Sequence, residues 1–233
     1  MKIDNYILSA HNTFTYLKPK NILHYLCIPF ARCQSKDIYK LYREGIRCFD
    51  IRVRFTKYGD LKLCHGLFET QLEIPVRHFN VTNNIEYLTL EKEYKSSDFV
   101  DWLLSIFPQT EKIYFRLVLE TTKEDKNQEY YFKNFCEEFD FIKKIRKHND
   151  FFVLLEGVRK FDWKRIATNI KSEEQLSTFQ HISSYPSYKE SIKVRWYERI
   201  CPWLYAKRTN KLFKENISKN LYQDYKILAY DFV

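Results

Sequence analysis

The sequence predicts an α/β fold: a largely parallel sheet wound as a distorted or incomplete (β/α) barrel, in a single domain. Three observations carry this. Apolar runs of strand length alternate with amphipathic runs of helical length along most of the chain. About six main strands are legible, fewer than the eight of a closed barrel. The 233 residues lie at the short end of the ~250 typical of that architecture. A doubly wound open sheet is the alternative.

Each element follows from local pattern. Tyr6–Ser9 is a short apolar strand that runs into the polar loop Ala10-His11-Asn12-Thr13. Lys36–Arg43 reads as a helix, with Ser35 as N-cap and Gly45 just beyond its end. Ile46–Phe55 is a strand whose apolar positions alternate with Arg47, Asp50, Arg52 and Arg54, and Leu61–Cys64 follows after a turn at Gly59. A helix spans about Asp98 to Phe107, capped by Ser96 or Ser97 and ended by Pro108, with Val100, Leu103, Leu104 and Phe107 as its buried stripe. Ile113–Leu119 is a strand. Glu129–Lys147 is a long helix whose Tyr131, Phe135, Phe139 and Ile142 share one core-facing side. Phe151–Leu155 is a strand, Phe161–Ile170 and Ile192–Asn220 read as helices, the second broken at Pro202, and Ile227–Phe232 is a closing strand.

Composition narrows the function. Hydrophobic residues make up 45% and charged residues 30%, enough for a core and against disorder. Only four glycines are present, and three of them (Gly45, Gly59, Gly66) fall close together, which excludes glycine-rich phosphate loops. The net charge of +9 favours phosphate-bearing partners: nucleic acid, an anionic membrane surface or a phosphorylated substrate. Six cysteines show neither CxxC nor zinc spacing and read as reduced thiols. No leader and no apolar run near the roughly 20 residues of a membrane span is visible. The expectation is a cytoplasmic or peripheral membrane protein, with secretion open if a leader has been removed.

The chemistry gathers at the ends of the first strands. His11-Asn12, then Asp50 and Arg52, then His65-Gly66 would share one rim of a parallel sheet. Two histidines, an arginine and a carboxylate suit phosphodiester cleavage. One imidazole takes a proton from an attacking hydroxyl, the other gives one to the leaving oxygen, and the guanidinium receives the phosphate oxygens. Taken singly, each of these residues is better explained as a structural histidine or a surface ion pair; their succession at strand ends argues for a site.

Three motifs at this spacing resemble the X region of phosphatidylinositol-specific phospholipases C. They are Ser9-Ala10-His11-Asn12-Thr13, Gly45-Ile46-Arg47-Cys48-Phe49-Asp50-Ile51-Arg52 and Leu63-Cys64-His65-Gly66. The resemblance is clear over residues 5–68 and in outline beyond. It implies a distorted or incomplete TIM barrel, with 1–233 as a single phospholipase C-like catalytic domain. It implies attack by the inositol 2-hydroxyl on phosphorus, which yields a cyclic inositol phosphate and diacylglycerol. By position, His11 is implied as general base, His65 as general acid and Arg52 as phosphate clamp beside Asp50. Asp231, in the closing strand, is implied as the carboxylate that orients the base. Glu120 matches an acidic position near the sugar hydroxyls.

The motif also departs from the family. Asn12 stands where metal-independent bacterial members usually carry Asp, and calcium-dependent eukaryotic members carry Asn as a ligand. Arg52 stands where the calcium-dependent group keeps an acidic ligand, so it supplies the positive charge itself and would repel the ion. The expectation is metal-independent catalysis with no cofactor, Asn12 orienting a neighbour by hydrogen bond. The expected partner is a phospholipid at an anionic membrane surface, and nucleic acid is not expected.

Alternatives remain open on the sequence. A glycerophosphodiester phosphodiesterase would want a Glu-x-Asp metal pair where Asp50-Ile51-Arg52 stands. A basic nucleic-acid- or lipid-binding module without catalysis would fit the charge and leave the histidines idle. Segment Lys193–Lys211 interleaves Trp196, Tyr197, Trp203 and Tyr205 with six basic residues. It reads either as an interfacial patch or, by a modest margin, as helices whose aromatics are core.

Overall fold

In the computed structural model the described residues are 7–72, 74–79, 86–91, 95–121, 125–147, 151–159, 165–166, 181–183, 227–230 and five positions between 203 and 215. The chain begins with β1 (Ile7–Ala10), a 3-10 turn (Thr13–Tyr16), α1 (Ile22–Ala31), α2 (Ile38–Arg43), β2 (Cys48–Phe55), β3 (Leu61–His65) and β4 (Phe68–Glu69). A hairpin of β5 (Ile74–Phe79) and β6 (Glu86–Glu91) forms its own two-stranded sheet. Then come α3 (Ser96–Ser105), β7 (Ile113–Thr121), α4 (Lys126–Ile145), β8 (Phe151–Arg159), β9 (Arg165–Ile166), β10 (His181–Ser183) and β11 (Ile227–Tyr230).

The main sheet runs β10-β11-β1-β2-β7-β8-β9, with β3 and β4 attached beside β2. Its pairings from β10 to β8 are all parallel. The order follows the chain cyclically, and the last strand pairs with the first. A doubly wound sheet reverses its strand order at a switch point; this one does not, which replaces the open-sheet alternative with a barrel winding. Among the described residues the sheet is not closed: no pairing joins β8 or β9 to β10. The architecture is a distorted, incomplete α/β barrel.

Strand β2 explains how the core and the site are separated. Side chains alternate between faces with period two. Phe49, Ile51, Val53 and Phe55 are buried on one face, where they join the core cluster with Phe99, Leu103, Phe132, Phe135 and Phe139 of α3 and α4. Burying each Phe stabilises the fold by roughly 1.5–3 kcal/mol. The other face carries Cys48, Asp50, Arg52 and Arg54 into the barrel interior.

Several boundaries differ from the sequence reading. The N-cap of α2 is Asp37, whose carboxylate accepts from Lys40 N at 2.8 Å, in place of Ser35. Helix α3 starts at Ser96 with no side-chain cap, and α4 starts at Lys126 behind Asp125, which accepts from Asn127 and Gln128. The predicted helix Phe161–Ile170 is overturned at Arg165–Ile166, which pairs antiparallel with Val158 and Gly157 of β8; the rest of it lies outside the described residues. Helix α1 has no counterpart in the sequence reading. Pro29 and the continuous apolar run hide it, because neither makes a one-sided pattern. It forms because Asn21 caps it, accepting from Leu23 N and His24 N.

Candidate active site

The loop after β1 is held in a shape that local propensity would not choose. Asn12 sits in the left-handed region at φ 47° and ψ 57°, where asparagine is better tolerated than most side chains. The Thr15 hydroxyl donates to Asn12 O at 2.8 Å and accepts from the backbone N–H of Cys33 and Gln34. Gln34 Nε2 donates to His11 O at 3.0 Å. These bonds fasten the His11-Asn12 loop to the segment after α1.

Asp50 is fully buried on the inward face of β2. It accepts the Asn12 backbone N–H at 3.1 Å and lies 3.8 Å from His11 Nε2. Arg116, its register partner on β7, places Nη1 3.1 Å from Asp50 Oδ1. The sequence reading missed Arg116. A charged residue within the apolar run Ile113–Leu119 was the available signal, since such a charge is buried only with a partner.

Arg52 is the hub. Its Nη2 lies 2.8 Å from His11 Nε2, its Nε 3.5 Å from Asp50 and its Nη1 3.6 Å from Glu120. Arginine can only donate, so His11 Nε2 is the acceptor and its ring proton sits on Nδ1. Burial works against the Arg52 charge, but Asp50 and Glu120 outweigh it, and the guanidinium is held above its ordinary value.

His65 ends β3. Its Nδ1 lies 2.7 Å from the carbonyl of Ala31, one of the terminal carbonyls of α1 that the helix itself leaves unbonded. A carbonyl only accepts, so Nδ1 carries the proton in the neutral ring. The His11 and His65 rings are 6.3 Å apart, inclined at 74°. Burial is the largest influence on His65, and Arg52 and His11 add to it; they outweigh Glu120 and the Ala31 carbonyl and hold the imidazole below its ordinary value. Cys33, also missed, sits between the two motifs: Sγ is 3.3 Å from Asn12 Nδ2 and 3.8 Å from His65 Nδ1. Asn12 therefore reaches the His65 side of the site through a thiol, while its Nδ2 lies 3.4 Å from His11 Nε2.

Gly66, at φ +60°, turns the chain back after His65. Its N–H donates to Glu120 Oε1 at 2.7 Å, and its carbonyl accepts from Arg54 Nη2 at 2.7 Å. The Glu120 carboxylate thus ties β7 to the His65 turn and to Arg52.

The structure brings His11, Asn12, Asp50, Arg52, His65 and Glu120 together. Asp231 lies outside the described residues; the strand before it is in register with β1, Tyr230 opposite Ala10. Trp196, Tyr197 and Tyr205 also lie outside them. Trp203 is 64% exposed, so for that residue the core reading is overturned. Among the described residues α1 also exposes apolar side chains: Ile22, Leu23 and Leu26 are 80%, 70% and 71% exposed. No helix among the described residues is long and apolar enough to cross a membrane, and none of their His, Cys, Asp and Glu side chains group as a metal site. The five described cysteines are free thiols.

An incomplete α/β barrel with a two-histidine, one-arginine cluster at its strand ends defines the class. No family model matches the sequence, and no curated protein matches it. Solved structures do match. A pentafluoro-Phe-incorporated phosphatidylinositol-specific phospholipase C from Staphylococcus aureus is 14% identical, covers 99% of this chain and 87% of its own, and has a TM-score of 0.55. The phosphatidylinositol-specific phospholipase C from Listeria monocytogenes is 15% identical over 97% of this chain and 87% of its own, with a TM-score of 0.53. At this identity the likeness establishes the fold.

Proposed function

We propose that the chain, as one domain over residues 1–233, is a phosphodiesterase of the phosphatidylinositol-specific phospholipase C type. The observation that carries this reading is the Arg52 guanidinium, which touches His11, Asp50 and Glu120 while His65 stands 6.3 Å from His11. In the free protein Arg52 donates to the lone pair that a general base needs. An entering phosphodiester competes for the guanidinium, draws it onto the phosphate oxygens and frees His11 Nε2.

His11 then takes the proton of the inositol 2-hydroxyl as its oxygen bonds to phosphorus. His65 gives a proton to the glycerol oxygen as the P–O bond breaks. The products are a cyclic inositol phosphate and diacylglycerol, and no water is consumed. Arg52 supplies the positive charge that stabilises the phosphorane-like transition state, so no metal ion is invoked. Asp50 fixes Arg52 and the Asn12 backbone, Glu120 fixes the outer side of Arg52, and Asp231 is assigned the carboxylate role toward His11 Nδ1. Exposed Ile22, Leu23 and Leu26 belong to the helix whose last carbonyl holds His65, which supports a lipid surface as the place of reaction. The charge of +9 favours an anionic one.

The test is cleavage of phosphatidylinositol vesicles followed by phosphorus NMR, with His11→Ala and His65→Ala as controls. The expected result is a cyclic phosphate signal in the wild type that both variants lose. No phosphodiester cleavage by folded wild-type protein overturns the reading.

A further inference from the structure

One buried hydroxyl ties together the two loops that hold the histidines. Thr15 lies in the 3-10 turn Thr13–Tyr16 and is 3% exposed. Its Oγ1 reaches back three positions and donates to Asn12 O at 2.8 Å, a local bond that threonine readily makes. The Thr15 N–H donates to the same carbonyl at 3.1 Å. A carbonyl oxygen has two lone pairs, and these two bonds use both. They fix the peptide plane after Asn12, a residue held at φ 47°, and so fix the turn that carries His11.

The same hydroxyl accepts from the backbone N–H groups of Cys33 and Gln34 at 2.9 and 3.0 Å. A hydroxyl offers one proton and two lone pairs, and all three are used here. The strap that it holds, residues 31–34, touches both histidines. Its Ala31 carbonyl lies 2.7 Å from His65 Nδ1, and its Gln34 Nε2 donates to His11 O at 3.0 Å. Cys33 Sγ stands between the two loops, 3.3 Å from Asn12 Nδ2 and 3.8 Å from His65 Nδ1. Arg32 Nε donates to Thr15 O at 3.3 Å. The supports of His11 and of His65 thus meet at one buried oxygen.

We propose that Thr15 is a positioning residue whose hydroxyl sets the separation and tilt of the His11 and His65 rings, 6.3 Å and 74°. It touches no reacting atom. Rate is steep in this geometry, since a misplacement of about 1 Å can cost ~100-fold. Without the hydroxyl, the N–H groups of Cys33 and Gln34 lose their buried acceptor, and the strap shifts to find another. That shift carries the Ala31 carbonyl off His65 Nδ1. The effect on turnover rests on the phosphodiesterase reading; the held geometry of the two rings does not.

The experiment compares Thr15→Val, which keeps the shape and removes the hydroxyl, with Thr15→Ser, which keeps the hydroxyl and removes the methyl. Thr15→Cys, whose thiol is a weak donor and acceptor, carries the comparison where Thr15→Val does not fold. Two readouts are taken on each folded protein: kcat and KM on phosphatidylinositol vesicles, and proton–nitrogen NMR spectra of the two imidazoles above neutrality. The wild type should show the Nδ1–H form of both rings. Thr15→Val and Thr15→Cys should lower kcat by about 10- to 100-fold with KM within about twofold, and should mix the Nε2–H form into His65. Thr15→Ser should keep the wild-type spectrum and kcat within about threefold. An inactive wild type whose His65 spectrum responds to Thr15→Val and not to Thr15→Ser supports the positioning and fails only the phosphodiesterase reading. Unchanged spectra in Thr15→Val and Thr15→Cys, or unchanged kcat in an active enzyme, overturn the proposal. A loss in Thr15→Ser as large as in Thr15→Val also overturns it and assigns the effect to packing of the methyl.

Discussion

Arg52 Nη2 and His11 Nε2 lie 2.8 Å apart, across 41 residues of sequence. A permanent cation hydrogen-bonded to the base is a resting arrangement: whatever takes Arg52 releases His11. Both histidines should therefore matter to turnover and little to the fold. His11→Ala and His65→Ala should each lower kcat on phosphatidylinositol by about 10²–10⁴, the usual contribution of a positioned acid or base. Steady-state kinetics on vesicles reads this, and a loss smaller than tenfold in both variants contradicts the acid–base assignment.

The pH dependence follows from His65, which burial and the neighbouring Arg52 and His11 hold below the ordinary histidine value. A general acid must carry its proton, so the limb of the kcat profile that reports His65 should lie on the acid side of the ordinary value of 6.5, with kcat falling as pH rises through it. Stability moves the opposite way. The unfolded ring binds a proton near 6.5 and the folded ring only below it. The stabilising contribution is thus complete above that pH and is lost as pH falls toward the folded value. Denaturant melts between about pH 5 and 8, compared with a His65→Asn variant, should show this slope in the wild type alone.

Asp50 is a structural keystone through Arg116, whose guanidinium is 3% exposed. Asp50→Ala removes a carboxylate that this buried guanidinium contacts and should cost about 3–5 kcal/mol. Arg116→Met combined with Asp50→Ala should recover much of the loss. Strictly additive losses in chemical denaturation would show that the pair is not coupled.

Asn12 tests backbone strain. At φ 47° a β-branched side chain is strongly disfavoured and glycine is at ease. Asn12→Val should be about 1–3 kcal/mol less stable than Asn12→Gly, although both lose the amide contacts. Equal melting points would rule out the strain.

Helix α1 should touch the lipid. Leu23→Ser with Leu26→Ser removes two side chains that are 70% and 71% exposed, so folding stability should stay within about 0.5 kcal/mol. Pelleting with phosphatidylinositol-containing vesicles should fall several-fold, and undiminished pelleting assigns the surface elsewhere. Trp203→Ala provides the comparison on the exposed aromatic of the basic segment.

The first three motifs were legible because their chemistry is local. Alternation along β2 placed Asp50 and Arg52 on one face and Phe49 and Ile51 on the other, and the core cluster bears this out. The site's partners were harder to read. Arg116 and Cys33 lie in segments with their own sufficient explanation, an apolar strand and a reduced thiol, and only contact reveals the second role. Helix α1 was hidden for the opposite reason: it is apolar on more than one side, so periodicity had nothing to register.

The amino-acid sequence by itself determined the alternation of strands and helices, the inward face of β2 and the set of residues at its rim, because these depend on periods of two and 3.6 residues and on residue chemistry. Tertiary structure alone decided between the expected incomplete barrel and the open-sheet alternative, by setting the last strand beside the first. It alone decided that Arg52 caps His11 and that the end of α1 holds the proton of His65 on Nδ1. Those relations join residues tens of positions apart, and only packing in three dimensions selects one such pairing from the many that the sequence allows.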